Sequence, residues 1–365
     1  MTLPGVLLVV GALAAATGSV SAQSPAPEGD VITLDVMTFN IRTSAIDDGR
    51  DSWPYRKELV AETIARFNPH VLGLQEVIAE QTAFLETALP QYRWLGVDRG
   101  LNGGNGLSEA TPIWYRYEEM VPIESGTFWL GDPPGAVPGA GAGGGGAGGA
   151  AGRGGADGAA GRGGADGAAG RGGADGAAGR GGADGAAGRG GADGAAGRGG
   201  RDGGGGPGGR GGGRGGSRIV TWARFHHFAS ARQIYVYNTH FSPREGPQHV
   251  EAMARISERL ATLPPGASVI LLGDFNSAAG TSDAWKAATS HGLRDAWVIA
   301  PERRGPPFTS NGFGPPPGEG DWRIDWILVG GSIEASSIST VVRSVGGRYP
   351  SDHYPVVATL RVHPS

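Results

Sequence analysis

Hydrophobic residues recur along this chain with two periods, and the switches between them mark out its elements. From Val31 to Phe39, Ile32, Leu34 and Val36 face one way and Thr33, Asp35 and Met37 the other, the alternation of a strand. Pro54 to Phe67 changes period, with Val60, Ile64 and Phe67 at i, i+4 and i+7 and a proline near the start, which predicts a helix. The short apolar run Val71 to Gln75 predicts a second strand, and Ile78 to Leu89 a second helix stopped by Pro90. Tyr92 to Val97, Pro112 to Tyr117 and Val121 to Leu130 read as further strands. Beyond a long interruption, Ile219 to Phe228 and Gln233 to His240 form a strand pair joined near Ser230. His249 to Leu260 follows as a helix with Met253, Ile256 and Leu260 on one face, then Ser268 to Leu272 as a buried strand and Ser282 to Ser290 as a helix. Trp322 to Val329 and Tyr354 to Val362 are the last predicted strands. Strands dominate each half and helices are interspersed, which predicts an α/β fold of two stacked sheets covered by helices.

Two stretches fall outside this pattern. An apolar run from Val6 to Ala16, followed by small residues and Val20-Ser21-Ala22, predicts a signal peptide over residues 1–22, with a linker over 23–30 broken by Pro25 and Pro27. The run is short for a membrane span, so a cleaved export signal is expected over an uncleaved anchor. The second stretch, residues 131–217, carries most of the excess of a chain in which 70 of 365 residues are glycine. Within it Gly-Arg-Gly-Gly-Ala-Asp-Gly-Ala-Ala repeats every nine residues, with arginines at 153, 162, 171, 180, 189 and 198. A calcium-binding β-roll has the same period but needs a large aliphatic residue in each repeat, and here only alanine is available. With so little apolar surface to offset chain entropy, the tract is expected to be a disordered insert within one domain spanning residues 31–363.

Charge and composition narrow the function classes. The tract holds nine arginines and seven aspartates, so of the chain's net charge of −4 it contributes +2 and the remainder −6. An acidic body is a poor match for gripping long nucleic acid through its surface. The Arg-Gly-Gly composition raises a second reading, an RNA- or surface-binding protein whose domain merely carries the tract. The repeated aspartates nearly cancel those arginines and no aromatic is interleaved for stacking, so a solvated spacer is the better expectation. No cysteine is present, which excludes disulfides, thiolate metal sites and a cysteine nucleophile.

The chemistry lies at the strand ends. Asn40 shares parity with Ile32, Leu34 and Val36; Glu76 with Leu72 and Leu74; Asn238 and His240 with Ile234 and Val236; Asp325 with Ile327 and Val329. Asp274 and Asn276 come directly after an apolar strand, and Asp352 and His353 precede the last one. Buried polar groups are costly unless paired or bound to a metal, so six strand ends of this kind imply one shared polar cavity. Carboxylate and amide oxygens without cysteine suit Mg²⁺ or Mn²⁺ better than Zn²⁺, and two histidines remain for acid–base or phosphate contacts.

Met37-Thr-Phe-Asn40-Ile-Arg42, Gly73-Leu-Gln-Glu76-Val77, Asn238-Thr-His240-Phe, Gly273-Asp274-Phe-Asn276, Arg323-Ile-Asp325-Trp-Ile and Ser351-Asp352-His353-Tyr-Pro355 stand in the order used by the endonuclease/exonuclease/phosphatase superfamily. The chain resembles that group, which includes DNase I-like nucleases, over nearly all of its length outside the signal and the tract. The resemblance implies a four-layer α-β-β-α sandwich and metal-dependent hydrolysis of a phosphoester by an activated water. It implies Glu76 as principal Mg²⁺ ligand with Asn40 and Asp352, and Asp274 orienting or deprotonating the water. Asn276 would fix that geometry and help bind phosphate, His353 paired with Asp325 would contact phosphoryl oxygens or act as base, and His240 would assist the transition state or leaving group. Tyr115 and Arg116 occupy a stretch where relatives contact phosphate, with strand-edge packing as the alternative. Asp51 and Trp53 match a bacterial subgroup motif and are candidates to shape the pocket, Trp222 and Arg224 to line the cleft, with core packing the better expectation for Trp222, while Arg56 and Lys57 are expected to cap or solvate a helix. His70 stands where relatives place a structural aspartate. The implied partner is the phosphoester substrate alone, nucleic acid, nucleotide or lipid or inositol phosphate, acted on by an exported monomer.

Overall fold

A computed structural model describes residues 31–99, 108–131, 218–316 and 322–364. The predicted signal peptide, the linker and nearly all of the repeat tract lie outside the described residues. In chain order the elements are β1 (Ile32–Asn40), two 3₁₀ turns (Gly49–Asp51 and Trp53–Tyr55), α1 (Lys57–Phe67), β2 (Val71–Gln75), α2 (Ala79–Ala88), β3 (Tyr92–Leu95), β4 (Ile113–Arg116) and β5 (Met120–Trp129). Then come β6 (Ile219–His227), β7 (Gln233–His240), α3 (Pro247–Leu260), β8 (Val269–Asp274), α4 (Asp283–Ser290), β9 (Arg294–Asp295), α5 (Ala296–Ile299), β10 (Glu302–Arg304), β11 (Asp325–Gly330), β12 (Ile333–Thr340) and β13 (Val356–Val362).

The strands form a seven-stranded sheet, β10-β12-β13-β1-β2-β4-β3, and a six-stranded sheet, β5-β6-β7-β8-β11-β9. Each strand's two-residue alternation sends one face to a core between the sheets and the other to a helix layer. Leu34 and Val36 of β1, Ile234 and Val236 of β7, Ile270 and Leu272 of β8 and Ile327 and Val329 of β11 fill the middle core. Met37, Phe39, Leu72 and Leu74 pack instead with Val60 and Ile64 of α1 and Leu85 of α2. Tyr237, Leu271 and Trp326 pack with Met253 and Ile256 of α3 and Ala284 and Ala288 of α4. The α/β fold with two sheets is thus the architecture that the patterning and the resemblance imply.

Several boundaries differ from expectation for local reasons. The first helix becomes α-helical only at Lys57, because Trp53 to Tyr55 winds as a 3₁₀ turn around Pro54. The run from Trp322 enters the sheet only at Asp325. Strand β12 was not expected: its alternation is interrupted by serines and by a bulge between Ala335 and Ser337.

The sheets approach closely at Gly73, where a Cβ would stand 2.0 Å from Leu272 Cδ1 and 2.8 Å from the Asn238 side chain. Just beyond, polar residues replace the aliphatic core. Asn238 donates to the carbonyls of Leu74 and Pro112, both at 2.9 Å, and accepts from Gln75 Nε2 at 2.7 Å. Asn238, expected in the cavity, is therefore a clasp between the sheets beneath it, and Gln75 is its partner.

Candidate active site

Above that clasp the strand ends converge. Asn40 continues the middle-core phase of β1 and is fully buried. Its Nδ2 donates to Glu76 Oε1 at 3.1 Å and to Asp274 Oδ2 at 3.0 Å, while its Oδ1 accepts from Arg42 N at 3.0 Å. One amide thus bridges two carboxylates on different sheets. Glu76 arrives by another route than its parity suggested, since Leu72 and Leu74 face the helix layer. The strand stops at Gln75 and Glu76 takes φ +62°, which returns its carboxylate to the cavity, where Oε2 accepts from Thr43 N at 3.0 Å.

Asp274 ends β8, in register with His240 of the parallel β7 and with Asp325 of the antiparallel β11. Three expected residues are therefore neighbours by sheet pairing alone. Asp274 Oδ2 lies 3.4 Å from His240 Nε2 and 3.9 Å from His353 Nε2, and its Oδ1 accepts from Asn276 N at 2.9 Å. Asn276, itself at φ +46°, donates from Nδ2 to Phe241 O at 3.1 Å, tying the loops after β7 and β8 together. His353 Nδ1 sits 2.9 Å from Asp325 Oδ2. Asp352 is reached through Ser351, whose Oγ donates to Asn40 O at 2.7 Å and lies 3.2 Å from Asp352 Oδ1, while Arg42 Nη1 is 3.7 Å from Asp352 Oδ2.

The burial of these groups sets their protonation. Burial and the neighbouring Asp325 push the Asp274 carboxyl up to about 7, against the pull of His353, Asn40 and Asn276 N. Burial opposes charge on His353, but Asp325, Asp274 and Asp352 outweigh it and hold its pKa well above the usual imidazole range. Burial, reinforced by Arg218, Arg99 and His353, holds His240 well below that range. The two histidines are thus set to opposite states, one charged and one neutral.

The donor set fits a hard divalent cation. Asp274, Asp325 and His353 each offer a ligand atom, all within 4.8 Å of one another, and Asp325 Oδ1 is buried with no hydrogen-bond partner among the described residues. Glu76, with Asn40 beside it, brings a third carboxylate to the same cavity.

Other expectations resolve differently. Tyr115 and Arg116 lie at the opposite end of the sheet from Glu76, since β4 runs antiparallel to β2 with Tyr115 opposite Val71. Tyr115 packs on Phe225 with ring centroids 5.1 Å apart, and Arg116 Nη2 pairs with Glu119 Oε1 at 2.7 Å, so the packing alternative holds and neither joins the site. Trp53 is core, edge-on to Phe84 at 5.7 Å. Trp222 stacks on Tyr237 on the helix-layer side, and Arg224 pairs with Glu124 at 2.8 Å. His70 replaces the structural aspartate by accepting from Asp35 N at Nδ1, 3.0 Å away.

Arg56 stands at the N-cap of α1, where its carbonyl accepts from Val60 N at 3.0 Å, but its side chain neither caps nor solvates the helix. It is fully buried and donates to four backbone carbonyls: Asp51 at 2.9 Å, Ile41 at 2.6 Å, Pro350 at 3.0 Å and Arg42 at 2.8 Å. It thereby fixes the loop after Asn40 to the loop before Asp352. His249, expected only as a helix residue, does the same on the other sheet. Its Nδ1 lies 2.7 Å from Ser277 Oγ and its Nε2 2.8 Å from Ser242 O, bracketing Asn276 and His240. Neither residue follows an apolar alternation, so strand-phase reasoning passes over both.

Comparison with known proteins agrees with this geometry. A family model described as "Endonuclease/Exonuclease/phosphatase family" matches residues 37–353. No protein with a curated description matches. Among solved structures, an endonuclease/exonuclease/phosphatase from Bacteroides vulgatus superposes with TM-score 0.64 at 22% identity, covering 91% of this chain and 100% of that one. A mannosyl-6-phosphatase from Bacteroides thetaiotaomicron gives 0.62 at 22%, with 90% and 99% covered. The human Nocturnin catalytic domain with bound sulfate gives 0.56 at 16%, with 93% and 99% covered.

Proposed function

From the premise that this chain belongs to the endonuclease/exonuclease/phosphatase family, we propose that it is an exported, Mg²⁺-dependent phosphoesterase that cleaves its substrate by attack of a water activated at Asp274. The observation that carries the reading is the Asn40 amide, which joins Glu76 and Asp274 at one buried point where both sheets end.

Glu76, supported by Asn40 and Asp352, would hold the ion, which supplies charge neutralisation at a phosphoryl oxygen when bound. His353 is the poorer ligand despite its proximity to Asp274 and Asp325. Its raised pKa keeps a proton on the ring, and a protonated imidazole offers hydrogen bonds, not a lone pair. Asp274, with a carboxyl near 7, is poised to take a proton from water at neutral pH. Asn276 N and the Asn40 amide fix the rotation of that carboxylate. His353, charged and held by Asp325, donates to a non-bridging phosphoryl oxygen as negative charge builds there. His240, neutral and beside Asp274, serves the leaving-group side.

Glu76→Gln in the full chain tests the reading. Mg²⁺-dependent cleavage of p-nitrophenyl phosphate or bis-p-nitrophenyl phosphate is expected in the native protein and lost in the variant. Equal rates in the two proteins would remove Glu76 from the site. Export is tested separately, by following the full chain and a chain lacking residues 1–22 through cell fractionation.

A further inference from the structure

Two arginines near the site have no part in the chemistry above. Arg218 directly precedes β6. Its carbonyl accepts from Leu130 N at 2.7 Å, and that of the next residue, Ile219, accepts from Thr239 Oγ1 at 3.1 Å. Since Val220 pairs with Thr239, the chain at Arg218 runs alongside the end of β7, where His240 stands.

Arg99 lies on a loop laced to the Glu76 side. Its N–H donates to Glu109 O at 2.9 Å, and Ala110 bridges to both Asp98 and Val77, the residue after Glu76. The two segments meet, because Thr111 Oγ1 is 3.5 Å from Thr221 Oγ1 and a Cβ at Gly96 would touch both Pro112 and Thr221.

The arginines are not equally satisfied. Arg99 forms an ion pair with Glu109. Arg218 Nη1 is buried and finds no acceptor among the described residues. Burial lowers the proton affinity of both, to about 10 for Arg99, whose guanidinium is further opposed by Arg218. Arg218 lies within electrostatic reach of Glu76, Asp274, His240 and His249, and Arg99 within reach of Glu76 and His240. A guanidinium with a buried, unpartnered donor is costly alone and relieved by an anion, and the paired Arg99 adds a second positive charge beside it.

We infer that Arg99 and Arg218 form an anion clamp for the free oxygens of a dianionic phosphate group, so that the substrate is a phosphomonoester. The inference rests on the phosphoesterase reading for the reaction, but not for the clamp. A phosphodiester exposes two non-bridging oxygens and one negative charge; a monoester exposes three and carries up to two. With His353 and a divalent ion already addressing the reacting phosphate, the free donor of Arg218 and the second guanidinium beside it exceed what a diester accepts and match what a monoester offers.

The test uses the full chain with Mg²⁺ and the variants Arg218→Gln, Arg99→Gln and Arg218→Lys, each checked for folding by thermal melting. Two quantities are measured: kcat/KM on p-nitrophenyl phosphate against bis-p-nitrophenyl phosphate, and inorganic phosphate binding by titration calorimetry at pH 8. Arg218→Gln should lower monoester kcat/KM at least about tenfold more than diester kcat/KM, mainly through KM, and weaken phosphate binding about tenfold. Arg99→Gln should do so more weakly, and Arg218→Lys should restore part of the loss. Equal losses on both esters, or unchanged phosphate binding in a folded Arg218→Gln, overturn the clamp. A native protein that hydrolyses neither ester yet binds phosphate through Arg218 would leave the clamp standing and remove the phosphoesterase reading.

Discussion

The two ends of the paired sheets carry similar residues in opposite conditions. At one end His240, His353, Asp274, Asp325 and Glu76 meet; at the other, His70, Glu119, Arg116 and Asp35. Both ring nitrogens of His70 are engaged, Nδ1 by Asp35 N at 3.0 Å and Nε2 by Glu119 Oε2 at 3.1 Å. Both oxygens of Glu119 are taken as well, the second by Arg116 at 2.7 Å. At the first end His240 Nδ1 and Asp325 Oδ1 are buried with no partner among the described residues, and carboxylates crowd one another until Asp274 holds its proton to about 7. At the other end Arg116 Nε is likewise buried without a partner among the described residues, but the imidazole and both Glu119 oxygens are engaged. A carboxylate oxygen and an imidazole nitrogen left unsatisfied in one buried cavity mark a place for a ligand.

The largest expected effect breaks this contrast at its sharper end. Asp274→Asn or His353→Asn should lower kcat for phosphoester hydrolysis by about 10²–10⁴-fold, the range for loss of a general base or acid. The matched change at the other end, Glu119→Gln, should leave kcat within about twofold, since nothing there faces the cavity. Measuring both on one substrate separates a site from a decoy of the same composition. A comparable loss from Glu119→Gln would mean that the two ends are coupled.

How much of this was legible follows from what each residue depends on. Asn40, His240 and Asp325 obey the alternation of strands whose aliphatic residues face the middle core, so local pattern alone placed them. Glu76 defeats that logic, because its strand-phase neighbours Leu72 and Leu74 face the other way and a left-handed residue turns it back. Parity singles it out for the wrong reason, and the motif alone gives a sound one. Tyr115 and Arg116 were misplaced for the converse reason: a motif position says nothing about which end of a strand meets the cavity, and sheet pairing decides that. Arg56 was invisible, because its acceptors at Ile41 and Pro350 lie 15 and 294 residues away.

Arg56 offers the next effect in size. Its guanidinium is fully enclosed, and burial lowers its pKa only to about 10, so it stays charged at neutral pH. Arg56→Met would preserve much of its volume while leaving four carbonyls, those of Ile41 and Pro350 buried, short of a donor. A stability loss of about 3 kcal/mol is expected by chemical denaturation. Activity of the folded fraction should also fall, as the loops of Asn40 and Asp352 loosen, with a higher Mg²⁺ concentration required for half-maximal rate. An unchanged Mg²⁺ requirement would make Arg56 a residue of stability alone.

The smallest effect concerns pH and again sets one end against the other. In the folded, metal-free protein Asp274 retains its proton to about 7, whereas the unfolded chain releases it near 3.8. The native state therefore binds more protons across that window, and stability falls as pH rises from about 4 to 7. His353, whose folded pKa is raised, contributes stability that is complete below about 6.5 and is lost as pH climbs toward the folded value, so the decline continues in the same direction. His70 has the opposite sign. Burial, aided by Arg116, lowers its pKa, so the folded state resists the proton that the unfolded chain accepts below about 6.5, and this end weakens on acidification. His240, held well below the usual imidazole range by burial and the nearby arginines, shares the sign of His70, so the groups of the site oppose one another on the acid side. Above about 6.5 both of those histidines are neutral in the folded and unfolded chain alike, so denaturation of chelator-treated protein should show greater stability at pH 6.5 than at pH 8, the decline coming from Asp274 and His353. Asp274→Asn should flatten the profile between pH 4 and 7, and saturating Mg²⁺ should flatten it too, since a bound cation favours the ionised carboxylates. A profile that rises between pH 6.5 and 8 in the metal-free protein would show that the carboxylate crowding is relieved in solution and that the two ends are less different than their geometry implies.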